Sequence, residues 1–256
     1  MTTIGIHSDM HLELQSEHPD WLTTVPDILI LAGDVLKIDD AAEFLKQLSK
    51  EFTGMQIIYV AGNHEFYRNY HMKKAELNLY AELDDEPHIH FLQCDVIEVS
   101  GIRFLGCTGW SQMLALGSDR QQAVMDSAGV RINDFYIIGF DGKRFSAEDC
   151  VELGNHHRQW LEQELSNTTD LPTVVITHFS PSIDFGNPNY PVDNITAYFC
   201  SNYGDLIEKY QPAFWIFGHT HFNLDTMVGS CRVISNQQGY GQECVNSYEP
   251  NKLIEL

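Results

Sequence analysis

Five apolar runs of strand length each end in a cluster of polar side chains, and this recurrence constrains the fold more than any other feature. The runs are Ile4–His7, Ile28–Ala32, Gln56–Ala61, Thr173–Thr177 and Ala213–Phe217. The second to fifth are nearly continuous in Ile, Val, Leu and aromatic residues, as strands covered on both faces are. Helical patterns lie between them. Ala41, Phe44, Leu45, Leu48 and Phe52 fall at offsets 0, 3, 4, 7 and 11, one apolar stripe, and Leu153, His157, Trp160, Leu161 and Leu165 form a second. Strand–helix alternation predicts βαβ units and an α/β fold. Two hairpins, 95–107 around a Ser-Gly turn and 223–236 around Gly229-Ser230, add antiparallel strands and so predict two sheets. The stretch 109–142 is polar and lacks a clear period, so it reads as a long irregular excursion over the surface. No repeat or linker interrupts the chain, and one domain over residues 1–256 is expected.

The strand ends hold the chemistry. "HSDMHLE" brings Asp9 and His11, "LAGDVL" brings Asp34, and "AGNHE" brings Asn63, His64 and Glu65. "VITHFSP" adds His178, and "FGHTHF" adds His219 and His221. Loops at the carboxyl ends of neighbouring parallel strands converge, which is where open α/β sheets build sites. One Asp-x-His or Gly-Asp alone is more often a turn than a site. A His-x-His pair at a strand end says more, because period-two geometry aims both rings to one side. All five together, in order, point to metal binding. Mixed imidazole and oxygen donors suit Mn²⁺, Fe or Zn²⁺, whereas Mg²⁺ prefers oxygen alone. Such a set exceeds the needs of one ion, so two ions sharing a bridging carboxylate is the economical reading.

Charge narrows the partners. Fifteen Lys and Arg against 36 Asp and Glu give a formal −21. Such a surface repels nucleic acid and anionic membranes, so neither is an expected partner. A small anionic substrate remains open to it if the site supplies positive charge, as bound metal would. "MTTIGIHSDM" lacks the basic flank and apolar core of a signal peptide, and no apolar run approaches 18 residues. A cytoplasmic protein without a membrane span is expected. The six cysteines are scattered without a C-x-x-C and read as reduced, mostly buried thiols.

D-x-H, GD, GNH(E), a lone His after a strand and GH-x-H, in that order, resemble the calcineurin-like metallophosphoesterase superfamily. The spacing agrees: 25 residues separate Asp9 from Asp34 and 29 separate Asp34 from Asn63, and the motifs span residues 9 to 221. The resemblance implies a four-layer α/β/β/α sandwich with two mixed sheets and a dinuclear metal centre at the strand ends. Residue by residue, it implies Asp9, His11, Asp34 and His221 on one ion. Asp34, Asn63, His178 and His219 would hold the other, with Asp34 bridging. It implies attack by a metal-bridging hydroxide on a small phosphodiester or phosphomonoester, with His64 off the metals as general acid. Diesters are preferred, by analogy with relatives of this length. Glu65 is expected to hold its loop.

The departures matter too. Protein Ser/Thr phosphatases of the superfamily carry GD-x-V-D-R-G, whereas here Gly33-Asp34-Val35-Leu36-Lys37 lacks the Asp-Arg pair. A protein phosphatase is therefore not expected, and the carboxylate partner of the catalytic histidine has no aligned equivalent, with Asp39 or Asp40 as substitutes. The alternatives are a nuclease, which would need a surface for polynucleotide, and an inactive protein-binding scaffold, which is disfavoured because all seven ligand positions are filled. His157 reads as a satisfied core histidine. Arg68, Arg120 and Arg158 could clamp phosphate, but salt bridges are the preferred reading for each. The loop 179–191 is expected at the site rim, where it would help choose the substrate.

Overall fold

The computed structural model describes residues 1–14, 22–68, 71–241, 243, 245 and 247–256. Strands β1 (Thr3–His7), β2 (Ile28–Ala32), β3 (Gln56–Val60) and β4 (Ile89–Phe91) run parallel. A hairpin follows, β5 (Asp95–Val99) and β6 (Ile102–Cys107), then the short pair β7 (Gly139–Phe140) and β8 (Lys143–Arg144). The remaining strands are β9 (Thr173–Thr177), β10 (Phe214–Phe217), β11 (Asp225–Val228), β12 (Cys231–Ser235) and β13 (Leu253–Glu255). The helices are α1 (Ile38–Glu51), α2 (Met72–Leu83), α3 (Gln121–Arg131), α4 (Asp134–Ile137), α5 (Ala147–Ser166) and α6 (Gly204–Tyr210).

Two mixed sheets result. The first has the order β13-β1-β2-β3-β4, with only β13 antiparallel. The second has the order β11-β12-β10-β9-β6-β5, parallel through its four inner strands and closed by an antiparallel strand at each edge.

Side-chain alternation builds the layers. Ile28, Ile30, Ile58 and Val60 from the first sheet meet Phe104, Val174, Ile176 and Ile216 from the second in one buried cluster. The opposite face of the first sheet, with Leu29, Leu31, Ile57 and Tyr59, packs on Leu45 and Leu48 of α1 and Leu79 of α2. The outer face of the second, with Val175, Trp215 and Val233, packs on Leu161 of α5 and Leu206 and Ile207 of α6. Helices, sheet, sheet, helices: this is the expected α/β/β/α sandwich. Strands buried on both faces explain why their sequences read as continuous rather than alternating apolar runs.

One expectation needs correction. The stretch 109–142 is not an irregular excursion, because it contains α3 and α4. Only Val124 and Ala128 of α3 are buried, too few apolar contacts to leave a readable stripe. The five described cysteines are free and four of them are buried, while Cys244 lies outside the described residues. No helix among the described residues is long and apolar enough to cross a membrane.

Candidate metal centre

The polar clusters leave the carboxyl ends of β1, β2, β3, β9 and β10, and the two sheets bring them together. The backbone there is unusual. Asp9 (φ 53), His11 (φ 46), Asp34 (φ 53), His219 (φ 71) and His221 (φ 47) all take left-handed conformations. Each costs a non-glycine residue roughly 1–2 kcal/mol, and such strain gathers where function over-determines the backbone. Two motif glycines are fixed by close approach. A Cβ on Gly62 would stand 2.2 Å from Oδ1 of Asp34, and one on Gly218 would stand 2.5 Å from Oδ2 of Asp9.

The seven side chains converge in two groups. In the first, Nε2 of His11 lies 3.2 Å from Nε2 of His221, which lies 3.4 Å from Oδ1 of Asp9. In the second, Nε2 of His178 lies 3.1 Å from Oδ1 of Asn63, 3.1 Å from Nδ1 of His219 and 3.4 Å from Oδ1 of Asp34. Oδ2 of Asp34 is 4.0 Å from Nε2 of His11, so this one carboxylate reaches both groups. Asp9, His11 and His221 can present donor atoms to one point, and Asp34, His178 and His219 to another. A third trio, His11, Asp34 and His64, satisfies the same geometry.

This donor set fits divalent cations. Ring nitrogens stand 3.1–3.2 Å apart, His11 against His221 and His178 against His219, with carboxylate oxygens of Asp9 and Asp34 3.4 Å from them, a spacing that a shared cation accounts for. The carboxylates and imidazoles of the two groups also shift one another's proton affinity. Burial lowers the pKa of His178, but Asp34 and Asp9 outweigh it and hold it up to about 10. Burial likewise lowers His221, and Asp9 and Glu243 raise it to about 9. His219 is held well below its usual value by burial and by His178.

His64 occupies a separate position. Its backbone N–H donates to Oδ1 of Asp34 at 2.8 Å, and its ring stacks on Tyr67 with centroids 4.0 Å apart. Nε2 meets the Tyr240 hydroxyl at 3.2 Å and Nδ1 meets Oε1 of Glu13 at 3.3 Å. Burial depresses the His64 pKa, yet Asp34 and Glu13 lift it above the ordinary value. Glu13 corrects the expectation for the carboxylate partner: Asp39 and Asp40 are exposed on α1, while Glu13 reaches His64 from the turn after His11.

Other carboxylates brace the loops, and the sequence did not reveal all of them. Fully buried Glu65 accepts from the N–H groups of Asp34 (3.0 Å), Val35 (2.9 Å) and Gly62 (2.8 Å) and from the Tyr59 hydroxyl (2.8 Å). It ties the loop after β2 to the loop after β3, the holding role expected of it. Burial and the neighbouring Asp34 push its pKa up to about 8. Buried Asp134 accepts from Nδ2 of Asn63 (3.0 Å) and from the hydroxyls of Tyr67 and Tyr198. That leaves Oδ1 of Asn63 turned to His178. Oε2 of Glu243 lies 2.5 Å from Nδ1 of His221. His157 is a core histidine, its Nδ1 accepting from the N–H groups of Gly109 and Trp110. Arg158 pairs with Asp205.

A cavity of about 840 Å³ opens over the centre, with Asp34, Asn63, His64, His219 and His221 on its wall. The loop 183–200 supplies much of the rest, including Ile183, Tyr190, Val192, Ile195 and Phe199, so the segment after His178 does lie at the rim.

Comparison with known proteins agrees with this architecture. The family model for calcineurin-like phosphoesterases matches residues 2–223. An uncharacterized protein of Acanthamoeba polyphaga mimivirus is 24% identical over 244 residues, 89% of this chain and 83% of that one. The phosphopantetheinyl hydrolase PptH of Mycobacterium tuberculosis superposes with a TM-score of 0.75 at 20% identity, over 98% of this chain and 95% of that one. A dimetal phosphatase of Danio rerio does so with a TM-score of 0.50 at 14% identity, over 96% of this chain and 90% of that one.

Proposed function

The chain belongs to the calcineurin-like phosphoesterase family, and on that premise we propose that it hydrolyses a small phosphodiester at a two-ion centre. Asp9, His11 and His221 would hold one ion and Asn63, His178 and His219 the other, with Asp34 shared; Mn, Fe or Zn suits these donors. Bound there, the ions would lower the pKa of coordinated water from about 15.7 to about 7 and offset the charge of the phosphate. The observation that carries the reading is that Asp34 belongs to one donor group and lies 4.0 Å from His11 of the other, and that Asp34, Asn63, His219 and His221 line one cavity with His64.

The side chains divide the remaining work. His64 is the general acid, giving the proton on Nε2 to the departing ester oxygen. Glu13 at Nδ1 fixes the ring and favours its protonated form. Glu65 holds Asp34 and Gly62 in register, and Asp134 keeps the Asn63 oxygen, not its nitrogen, toward the centre. The apolar side chains of the cavity wall, Ile183, Tyr190, Val192, Ile195 and Phe199 among them, support a diester over a monoester, because a second ester arm then has a surface to lie on. Asp184, Asp193 and Glu243 on the same wall, with the net −21, argue against a nuclease.

The test is a panel assayed with metal-loaded protein: bis-(p-nitrophenyl) phosphate, p-nitrophenyl phosphate, cyclic nucleotides, a phosphopantetheinyl ester and single-stranded DNA. Hydrolysis of small diesters is expected to lead. Preference for DNA sinks the substrate class, and an inert but metal-loaded protein supports the scaffold reading instead.

A further inference from the structure

Arg131, at the end of α3, is the one lysine or arginine among the described residues that line the 840 Å³ cavity. Three arginines of this acidic chain pair with carboxylates among the described residues, Arg103 with Glu164, Arg158 with Asp205 and Arg232 with Asp225. Arg131 makes no such pair within 4.0 Å among the described residues, and attracts Asp193 only at longer range. The acidic groups of the wall are already engaged. Asp193 accepts from the N–H groups of Ile195 and Thr196, Asp184 from the Ser182 hydroxyl, and Glu243 holds His221. A second cavity of about 470 Å³ adjoins the first, sharing Arg131, Val192 and Asp193. It adds Arg120, whose guanidinium bonds only the neutral Oδ1 of Asn194, at 2.9 Å, among the described residues.

Apolar side chains make up part of the wall, among them Ile132, Ile183, Tyr190, Val192, Ile195 and Phe199. Tyr190 and Val192 stand 59% and 70% exposed there, an expense in water that an apolar ligand would relieve. Space, apolar surface and uncommitted cations therefore occur together beside the candidate centre.

We propose that Arg131 selects the substrate, a phosphodiester whose second ester arm is long, mostly apolar and ends in an anionic group that Arg131 binds. This rests on the phosphoesterase reading above and adds to it the class of the substrate. The arm excludes water from the apolar wall, and the guanidinium then meets its anion at lower dielectric than on the open surface. Arg120, across the shared wall, adds to the positive field at that end. A methyl arm would leave the cavity unfilled and Arg131 without its anion.

The experiment compares kcat/KM of metal-loaded protein for the p-nitrophenyl phosphodiesters of methanol, hexanol and 6-hydroxyhexanoate. The hexyl ester is expected to exceed the methyl ester by about tenfold or more. The carboxyl-armed ester is expected to exceed the hexyl ester by about fivefold. Arg131→Gln is expected to bring the carboxyl-to-hexyl ratio to one or below. Calorimetric binding of the matching non-hydrolysable phosphonates reads the same ratio without turnover. Equal rates for all three esters overturn the proposal while leaving the phosphoesterase reading intact, as does a ratio that Arg131→Gln leaves unchanged. No hydrolysis of any ester, the methyl one included, overturns that reading and this proposal with it.

Discussion

Oε1 of Glu13 lies 3.3 Å from Nδ1 of His64 and 3.7 Å from Nδ1 of His11, so one carboxylate steadies both a proposed metal ligand and the proposed proton donor. Its own pKa falls to about 2: burial raises it, and the two histidines more than reverse that. Glu13 is therefore ionised wherever the protein is folded near neutrality.

The first prediction concerns pH. A general acid works only while protonated, so activity falls as pH rises through the His64 pKa. Glu13 helps to raise that pKa, and Glu13→Gln should move the alkaline limb of the kcat profile to lower pH and cut kcat at pH 8 by about tenfold. A limb that stays in place contradicts the pairing.

Asp134 permits a second test, because Asn63 can present either its oxygen or its nitrogen. Asp134→Asn replaces one acceptor with a donor and frees the amide to flip. Affinity for one of the two ions should fall about 10- to 100-fold, with the other little changed, in a competitive chelator titration. Equal affinity for both ions in wild type and variant would remove Asp134 from this role.

Loading should release protons. His178 and His221, with pKa values of about 10 and 9, carry protons at pH 7.5 in the metal-free chain, and ligation requires them to leave. Calorimetric enthalpies of metal binding should then depend on buffer ionisation, with about two protons released per chain. The same shifts set a stability trend for the chelated protein. Both histidines titrate higher folded than unfolded, so their stabilising contribution is complete below about pH 6.5 and is lost as pH rises through 9 to 10. Urea midpoints at pH 6.5 and 9.5 check the sign.

Glu65 should matter for folding more than for chemistry. Glu65→Gln sets an amide nitrogen against the two donors from which one carboxylate oxygen now accepts, and should cost about 3 kcal/mol in urea unfolding. Tyr59→Phe removes one neutral donor and should cost about 1 kcal/mol. A neutral Glu65→Gln would mean that the loops stay registered without it.

What could be read from the sequence divides along a physical line. Asp9, Asp34, Asn63, His178 and His219 were legible because each follows an apolar strand, and parallel strands bring their carboxyl ends together. Glu13, Asp134 and Glu243 were not. Asp134 meets Asn63 across 71 residues of chain, and no periodicity or local spacing encodes such a contact. Its helix, α4, spans one turn, and α3 before it buries only two residues. Glu13 had a local clue in its place two residues after His11, but a carboxylate there has no strand or helix pattern to mark it. The left-handed backbone at five of the seven motif residues was equally hidden, since it depends on where the loops are pinned.

The central claim is that Asp34 joins two ion sites while His64 stands outside them, and metal stoichiometry tests it most directly. Elemental analysis of purified, metal-loaded protein should give close to two ions per chain. Asp34→Asn should lose both, and His64→Asn should keep both while kcat for an alkyl leaving group falls by about 10². Loss of a single ion in Asp34→Asn, or of an ion in His64→Asn, would contradict the account, the latter favouring the His11, Asp34 and His64 trio as a metal site.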